Sequence, residues 1–173
     1  MEFLSKPLHP QKFCVWVGFN ASFILEPYFF DQTVNSRNYH EMLQNHVRPE
    51  LGRRRRIRST IFMQDGSPAH YATEVRWYLE ATFGAESVIS RGCQRNWPSR
   101  SPDLTPVDYW LRGTLKARIF HYERPRSLDQ LRSRIQEECS RITTEELRNA
   151  IASFPRRVNL MLQAGGGHFE DVL

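Results

Sequence analysis

The chain has 173 residues, of which 40% are hydrophobic, 12% aromatic and 25% charged, which suits one domain over residues 1–173 with an aromatic-rich core and excludes wholesale disorder or large multidomain machinery. Twenty-four Lys and Arg against nineteen Asp and Glu leave a net charge of +5 and a pI near 9.4, at a mean hydropathy of −0.57. That basic excess favours an anionic partner such as nucleic acid. Three scattered cysteines, Cys14, Cys93 and Cys139, spell neither a disulfide framework nor a zinc module and fit a reducing compartment.

In chain order, the N-terminal stretch Met1 to Pro10 lacks the basic-then-apolar pattern of a secretion signal, and no later run reaches membrane-spanning length, so no membrane partner is expected. Phe13–Phe19 and Phe23–Phe30, apolar and aromatic around the turn-like Asn20-Ala-Ser, predict a strand hairpin, with Pro27 marking an edge or bulge. Tyr39, Met42, Leu43 and Val47, spaced by three and four, predict an amphipathic helix from Asn35 to Leu51, closed by Pro49 or Gly52. The block Arg53-Arg54-Arg55-Arg56-Ile57-Arg58 follows, readable as a nuclear-import or phosphate-contacting patch or as a solvated loop. Ser59–Met63 predicts a short buried strand running into the turn Gln64-Asp65-Gly66-Ser67-Pro68, which puts Asp65 at a strand's C-terminal end.

Val75, Tyr78, Leu79 and Phe83 then form a helical stripe from Ala72 to Phe83, and Ser87–Ser90 reads as another short strand. Trp97 to Pro106 holds three prolines in ten residues and is kept out of regular structure. It closes on a helix start, with Thr105 as cap, Pro106 at the first helical position and Asp108 at the third, able to reach back to the cap. Helix continues through Leu111, Leu115 and Ile119. Ser127 caps a stripe of Leu128, Leu131, Ile135 and Cys139, and Thr143 caps one of Leu147, Ile151, Phe154, Val158 and Met161, ended by Gly165–Gly167; Ser127/Gln130 and Thr143/Glu146 have capping-box spacing. Strands first, helices later and strand-helix-strand between them predict an α/β or α+β domain with helices flanking one sheet.

Carboxylates that bind hard divalent cations converge from different elements, and Asp65 with Asp108 is the pair that fits; on spacing alone, a turn residue and a capping residue explain them equally. No Gly-rich phosphate loop, nucleophile elbow or zinc cluster appears, so no small-molecule substrate is expected. Phe62-Met-Gln-Asp-Gly-Ser-Pro-Ala-His70, followed by Trp97-Pro-Ser-Arg-Ser-Pro-Asp-Leu-Thr-Pro-Val-Asp-Tyr-Trp-Leu111, resembles the catalytic domain of mariner-type DDE transposases. Val15-Trp-Val-Gly18, Pro27–Phe30, Thr33-Val-Asn35 and the Tyr39/Met42/Leu43 helix also look like that family, so the resemblance runs from about Phe13 onward.

The resemblance implies an α/β, ribonuclease-H-like mixed sheet flanked by helices, in which three carboxylates hold two Mg²⁺ or Mn²⁺ ions for DNA cleavage and strand transfer. Asp65 would be the second acidic residue and Asp108 the third, both catalytic and metal-binding; Asp103 is instead a turn-stabilising side chain. His70 either approaches the scissile phosphate or braces the loop. Arg91, Arg95 and Arg100 are phosphate contacts or solvated loop charges, as are Arg53, Arg54, Arg55 and Arg56. DNA is the implied partner, a homodimer is implied by the family, and the nucleus by the substrate and the arginine block.

The sequence departs from the family at its N-terminus, where the twelve residues before Phe13 contain no Asp. The expectation is therefore a domain without the first, central strand, its catalytic Asp or the preceding helix-turn-helix, with little or no catalysis. The alternative is a non-catalytic nucleic-acid-binding or protein-interaction module derived from a transposase. Ser99 and Arg112 are smaller departures.

Overall fold

The structure, a computed structural model, describes residues 12–98, 101, 104–121 and 123–163. The predicted hairpin forms: β1 (Cys14–Trp16) and β2 (Tyr28–Phe30) pair antiparallel, with Val15 opposite Phe29. The Asn20 side chain closes the turn by accepting the Ser22 and Phe23 amides at 2.7 and 3.0 Å. Gly18 is required by close approach, because a Cβ there would lie 2.6 Å from the Trp16 ring. Alternation along the hairpin divides its side chains between two cores: Trp16, Tyr28 and Phe30 pack into one cluster, and Val15, Val17 and Phe29 into another.

The first cluster is completed by the predicted first helix, which is longer and less regular than expected. It runs as α1 (Ser36–Met42), a π turn (Leu43–Val47) and α2 (Arg48–Arg53), so neither Pro49 nor Gly52 closes it. Asn35 caps it in a complete capping box with Asn38. The π turn comes just ahead of Pro49, where a regular helix would call for an amide hydrogen that proline lacks, and Arg48 N–H bonds back to Leu43 O instead. Tyr39, Met42, Leu43, Val47 and Leu51 line the buried face.

β3 (Phe62–Met63) and β4 (Val88–Ile89) pair in parallel, joined by α3 (Thr73–Phe83), a right-sized crossover whose Val75, Leu79 and Phe83 enter the same core. Among the described residues the strands make two separate two-stranded sheets, where one sheet was predicted. Both pairs nevertheless contribute to one core, since Phe30, Phe62 and Val88 share a cluster.

The other face of the hairpin is covered by helices. A π turn (Val107–Leu111) leads into α4 (Arg112–Phe120), followed by α5 (Leu128–Arg141) and α6 (Thr144–Ala152), which bury Leu111, Ile119, Ile135, Cys139 and Leu147 against Val17 and its neighbours. The predicted boxes differ. Thr143 and Glu146 form the full reciprocal pair, whereas the Gln130 side chain accepts from the Arg126 amide instead of closing a box with Ser127. The last predicted helix is broken at Ser153, and α7 (Phe154–Gln163) begins anew. Pro155 has no N–H to continue α6 and suits the first turn of a new helix. Its residues Phe154, Val158 and Met161 pack on Trp97 and Leu104. Gly165–Gly167 lie outside the described residues. Among those residues no helix is long and apolar enough to cross a membrane.

Candidate functional site

The pleat of β3 sends Phe62 and Gln64 to the first core and Met63 to the opposite face, where it packs in a smaller cluster, and Gln64 N–H extends the ladder to Ile89 O at 3.0 Å. Asp65 therefore follows directly on the strand, as predicted. Its Oδ1 accepts the Ser67 amide at 3.0 Å, an Asx turn, and the His70 ring nitrogen Nδ1 at 2.5 Å; Oδ2 takes part in neither bond. The His70 hydrogen bond, helped by the Ser67 amide and opposed by burial, holds the Asp65 carboxyl below its ordinary range. An ionised carboxylate only accepts, so this contact requires the donor hydrogen on His70 Nδ1. Gly66 is hemmed in by Arg91, whose Cδ would be 3.3 Å from a Cβ at that position.

Beneath this turn lies a buried polar hub. Tyr39, from α1, packs its ring against His70 with centroids 4.4 Å apart and planes tilted by 34°, and donates its hydroxyl to Gln64 Oε1 at 2.7 Å. Gln64 Nε2 donates to His70 O and to Ser90 Oγ, both at 2.8 Å. Every polar atom of the Gln64 amide is thus used, as burial demands. Burial pushes the Tyr39 phenol well above its ordinary value. Tyr39, Gln64 and Ser90 were not singled out as site residues from the sequence. The signal available was Gln64 itself, a polar side chain at an inward position of an apolar strand.

Asp108 sits in a different setting, at the first turn of the π segment that opens α4. Its amide bonds Thr105 O at 2.9 Å, and its Oδ2 accepts the Thr105 hydroxyl. The segment is anchored by Tyr109, which donates to Ala150 O at 2.7 Å and carries the Arg157 guanidinium 4.0 Å above its ring. Trp97 and Leu104, which lead into Thr105, pack on Met63 and Ile89 at the ends of β3 and β4. The two motif segments therefore share one small cluster, although among the described residues no three His, Cys, Asp or Glu side chains are grouped as a metal site. Asp65 presents a single donor of the kind hard cations take, a carboxylate with one oxygen tied down and the other outside those bonds.

The predicted arginines fall into distinct environments. Arg91 borders the Asp65 turn and lies over the Tyr71 ring at 4.3 Å. Arg95 faces Glu86 at 3.6 Å. Arg53 and Arg54 pair with Glu50, and Arg54 also covers Phe23 at 4.8 Å, so two arginines of the block serve the end of α2. Arg55 turns the chain with a left-handed φ of 54°, and both it and Arg56 are exposed. Arg100 and Asp103 lie outside the described residues. An open groove between α4 and α5, lined by Arg118, His121, Glu138 and Arg141, contains none of the candidate carboxylates.

No family model matches the chain. It is 27% identical over 138 residues to the transposable element Tcb1 transposase of Caenorhabditis briggsae, covering 78% of this chain and 45% of that protein, so it spans under half the length of this curated relative. Among solved structures, the Mos1 transposase catalytic domain with raltegravir and Mn matches with a TM-score of 0.75 and 26% identity over 91% of this chain and 76% of that one. The Mos1 transposase paired-end complex with left transposon end matches in fold, with a TM-score of 0.74 at 24% identity over 98% of this chain and 52% of that one.

Proposed function

We propose, for a chain that is related to the mariner-type transposases through the catalytic-domain portion of those proteins, that this stretch is a transposase-derived endonuclease domain acting on DNA. The observation that carries the reading is the Asp65 turn, a strand-end carboxylate oriented through one oxygen within a fold shared with the Mos1 catalytic domain. Under this reading the two strand pairs are parts of one ribonuclease-H-like sheet whose intervening strand is not among β1 to β4.

Asp65 and Asp108 would hold the divalent cation, Mn in the matched Mos1 domain, and such a cation supplies activation of water or a 3′-hydroxyl and charge stabilisation at phosphorus. The bond from His70 to Asp65 supports a bracing role for His70, and Arg91 at the same turn is the best-placed phosphate contact. With no third acidic side chain grouped with these two among the described residues, this stretch by itself holds a cation weakly and cuts DNA little or not at all. The nucleus as location and a homodimer as assembly belong to the same proposal. The exposure of Arg55 and Arg56 favours a second reading, a module that binds DNA without metal.

The test is a mobility shift and melting measurement on the purified chain. The endonuclease-derived reading expects duplex DNA to be retained at low salt and released as salt rises, and Mn²⁺ to raise the melting temperature of the wild type but not of Asp65→Ala. Retention in EDTA that disappears when Arg53 to Arg56 are replaced by Ala, with no Mn²⁺ effect, selects the second reading. Neither retention nor an Mn²⁺ effect overturns both.

A further inference from the structure

The hub under Asp65 is more elaborate than a turn needs. A side chain at the Gln64 position could fill the core as a hydrocarbon, as Phe62 does two residues earlier. Instead the position carries an amide, whose burial is tolerable only because its oxygen and both N–H groups are bonded. Each of those bonds bears on His70 or on an element beside it. Tyr39 grips His70 from two directions, with its ring against the imidazole and its hydroxyl on the amide that holds the His70 carbonyl. The His70 amide bonds Ser67 O at 2.9 Å, closing the loop on itself. His70 is thereby fixed at its ring face, carbonyl and amide before its Nδ1 meets Asp65.

We propose that Tyr39 and Gln64 are positioning residues for Asp65. Together with Ser90 they hold the His70 imidazole in one orientation and one tautomer, with Nδ1–H on Asp65 Oδ1, and so leave Oδ2 as the oxygen that a divalent cation takes. The cation part rests on the reading given under Proposed function; the orientation part does not. Partners of this kind, one bond removed from a ligand, set its direction and basicity, and their loss lowers metal affinity by about 10–100-fold. The arrangement also makes the Asp65 geometry depend on α1 and on the end of β4, elements 25 and 26 residues from Gln64 in sequence.

The experiment uses the whole 173-residue chain at one fixed neutral pH and reads two quantities. The first is the His70 tautomer, from long-range proton–nitrogen correlations of the imidazole. The second is the concentration of Mn²⁺ that broadens the Asp65 and Ser67 amide signals by half. The wild type is expected to show a single Nδ1–H tautomer. Tyr39→Phe, which keeps the ring contact but removes the hydroxyl, and Gln64→Met, which keeps the volume but removes the amide, are expected to give mixed tautomers and to need about 10–100-fold more Mn²⁺. Ser90→Ala should shift both readouts in the same direction by less. Ile135→Ala, a core variant in the separate cluster between α4 and α5, should lower the melting temperature and leave both readouts unchanged.

The proposal is overturned if His70 in the wild type is the Nε2–H tautomer, or if Tyr39→Phe and Ser90→Ala melt earlier with the tautomer unchanged, which would make the hub structural only. Should Gln64→Met fail to fold, those two variants decide. Should the tautomer respond while the wild type shows no Mn²⁺ broadening, the orientation role stands and the metal reading falls.

Discussion

Asp65 and Asp108 arise from equally ordinary local signals, an Asp-Gly turn and a helix start, but the molecule holds them by different means. Asp65 is oriented by His70, itself fixed by a tyrosine from α1 and by a glutamine bonded to Ser90 beyond β4. Asp108 is held by Thr105, three residues away on the same turn. One carboxylate is thus an outcome of tertiary packing and the other of a side-chain bond within its own turn. A side chain held by long-range contacts should respond to damage far along the chain, and one held locally should respond only to its own turn.

The largest effect comes from removing the packing behind each. Leu79 is fully buried in the cluster that carries Tyr39 and Phe62, and Leu111 in the cluster behind α4. Truncation of either to Ala should cost about 2–5 kcal/mol in denaturant melts. Native-state hydrogen exchange separates them: Leu79→Ala should speed exchange at the Gln64 amide, and Leu111→Ala at the Asp108 amide. Equal acceleration of both amides by either variant would mean that the two clusters open as one unit and the contrast fails.

Next in size are the carboxylates themselves. Asp65→Asn loses a charge-assisted bond to His70, reduced by an exposure of 42% at the Asp65 side chain, so about 1 kcal/mol is expected. Asp108→Asn keeps an acceptor for Thr105 and gives up only a charge near a helix start, about 0.5 kcal/mol. Urea titrations of the two variants check the order, and a larger loss for Asp108→Asn would reverse the comparison.

The acid limb of stability follows from the same bond. Asp65 binds its proton less readily folded than unfolded, where the ordinary value is 3.8. Its contribution is therefore complete above that value and is lost as the pH falls below it and through the lower folded value. Glu146, lowered chiefly by the Thr143 amide, acts in the same direction. Melting temperature against pH should fall less steeply on the acid side for Asp65→Asn than for the wild type, while Glu146 leaves a residual slope. An unchanged slope would show that the His70 bond is absent in solution.

Much of this was readable in the sequence, and the part that was not has a common cause. The helices from α3 to α6 follow from apolar spacing, joined at α5 and α6 by the Ser127 and Thr143 caps, and the Asp65 turn from its Asp-Gly and Ser-Pro steps, because these signals act within a few residues. Pro49 inside the first helix was not readable as such, since its tolerance depends on a π turn that local propensity does not announce. The break at Ser153 was obscured because the apolar stripe continues across it, although Pro155 marks the spot. The division of the strands into two pairs and the Tyr39–Gln64–Ser90 hub both depend on partners from distant elements, where spacing carries no information.

The smallest test bears on the local half of the contrast. Thr105→Val keeps the shape and branching of the side chain but removes the hydroxyl that meets Asp108 Oδ2. Thr105 is buried at 7% exposure, so a side chain of the same shape keeps the packing while the bond to Asp108 is lost. The backbone bonds from the Asp108 and Tyr109 amides to Thr105 O remain, which limits the loss to about 0.5 kcal/mol, the lower end for one hydrogen bond. If Asp108 is held locally, its amide should exchange faster in this variant while the Gln64 amide and the His70 tautomer are untouched. A response at Gln64 would show that the Thr105 turn and the Asp65 turn are coupled through Leu104 and Met63, which share a cluster, and that the two carboxylates are positioned as one unit after all.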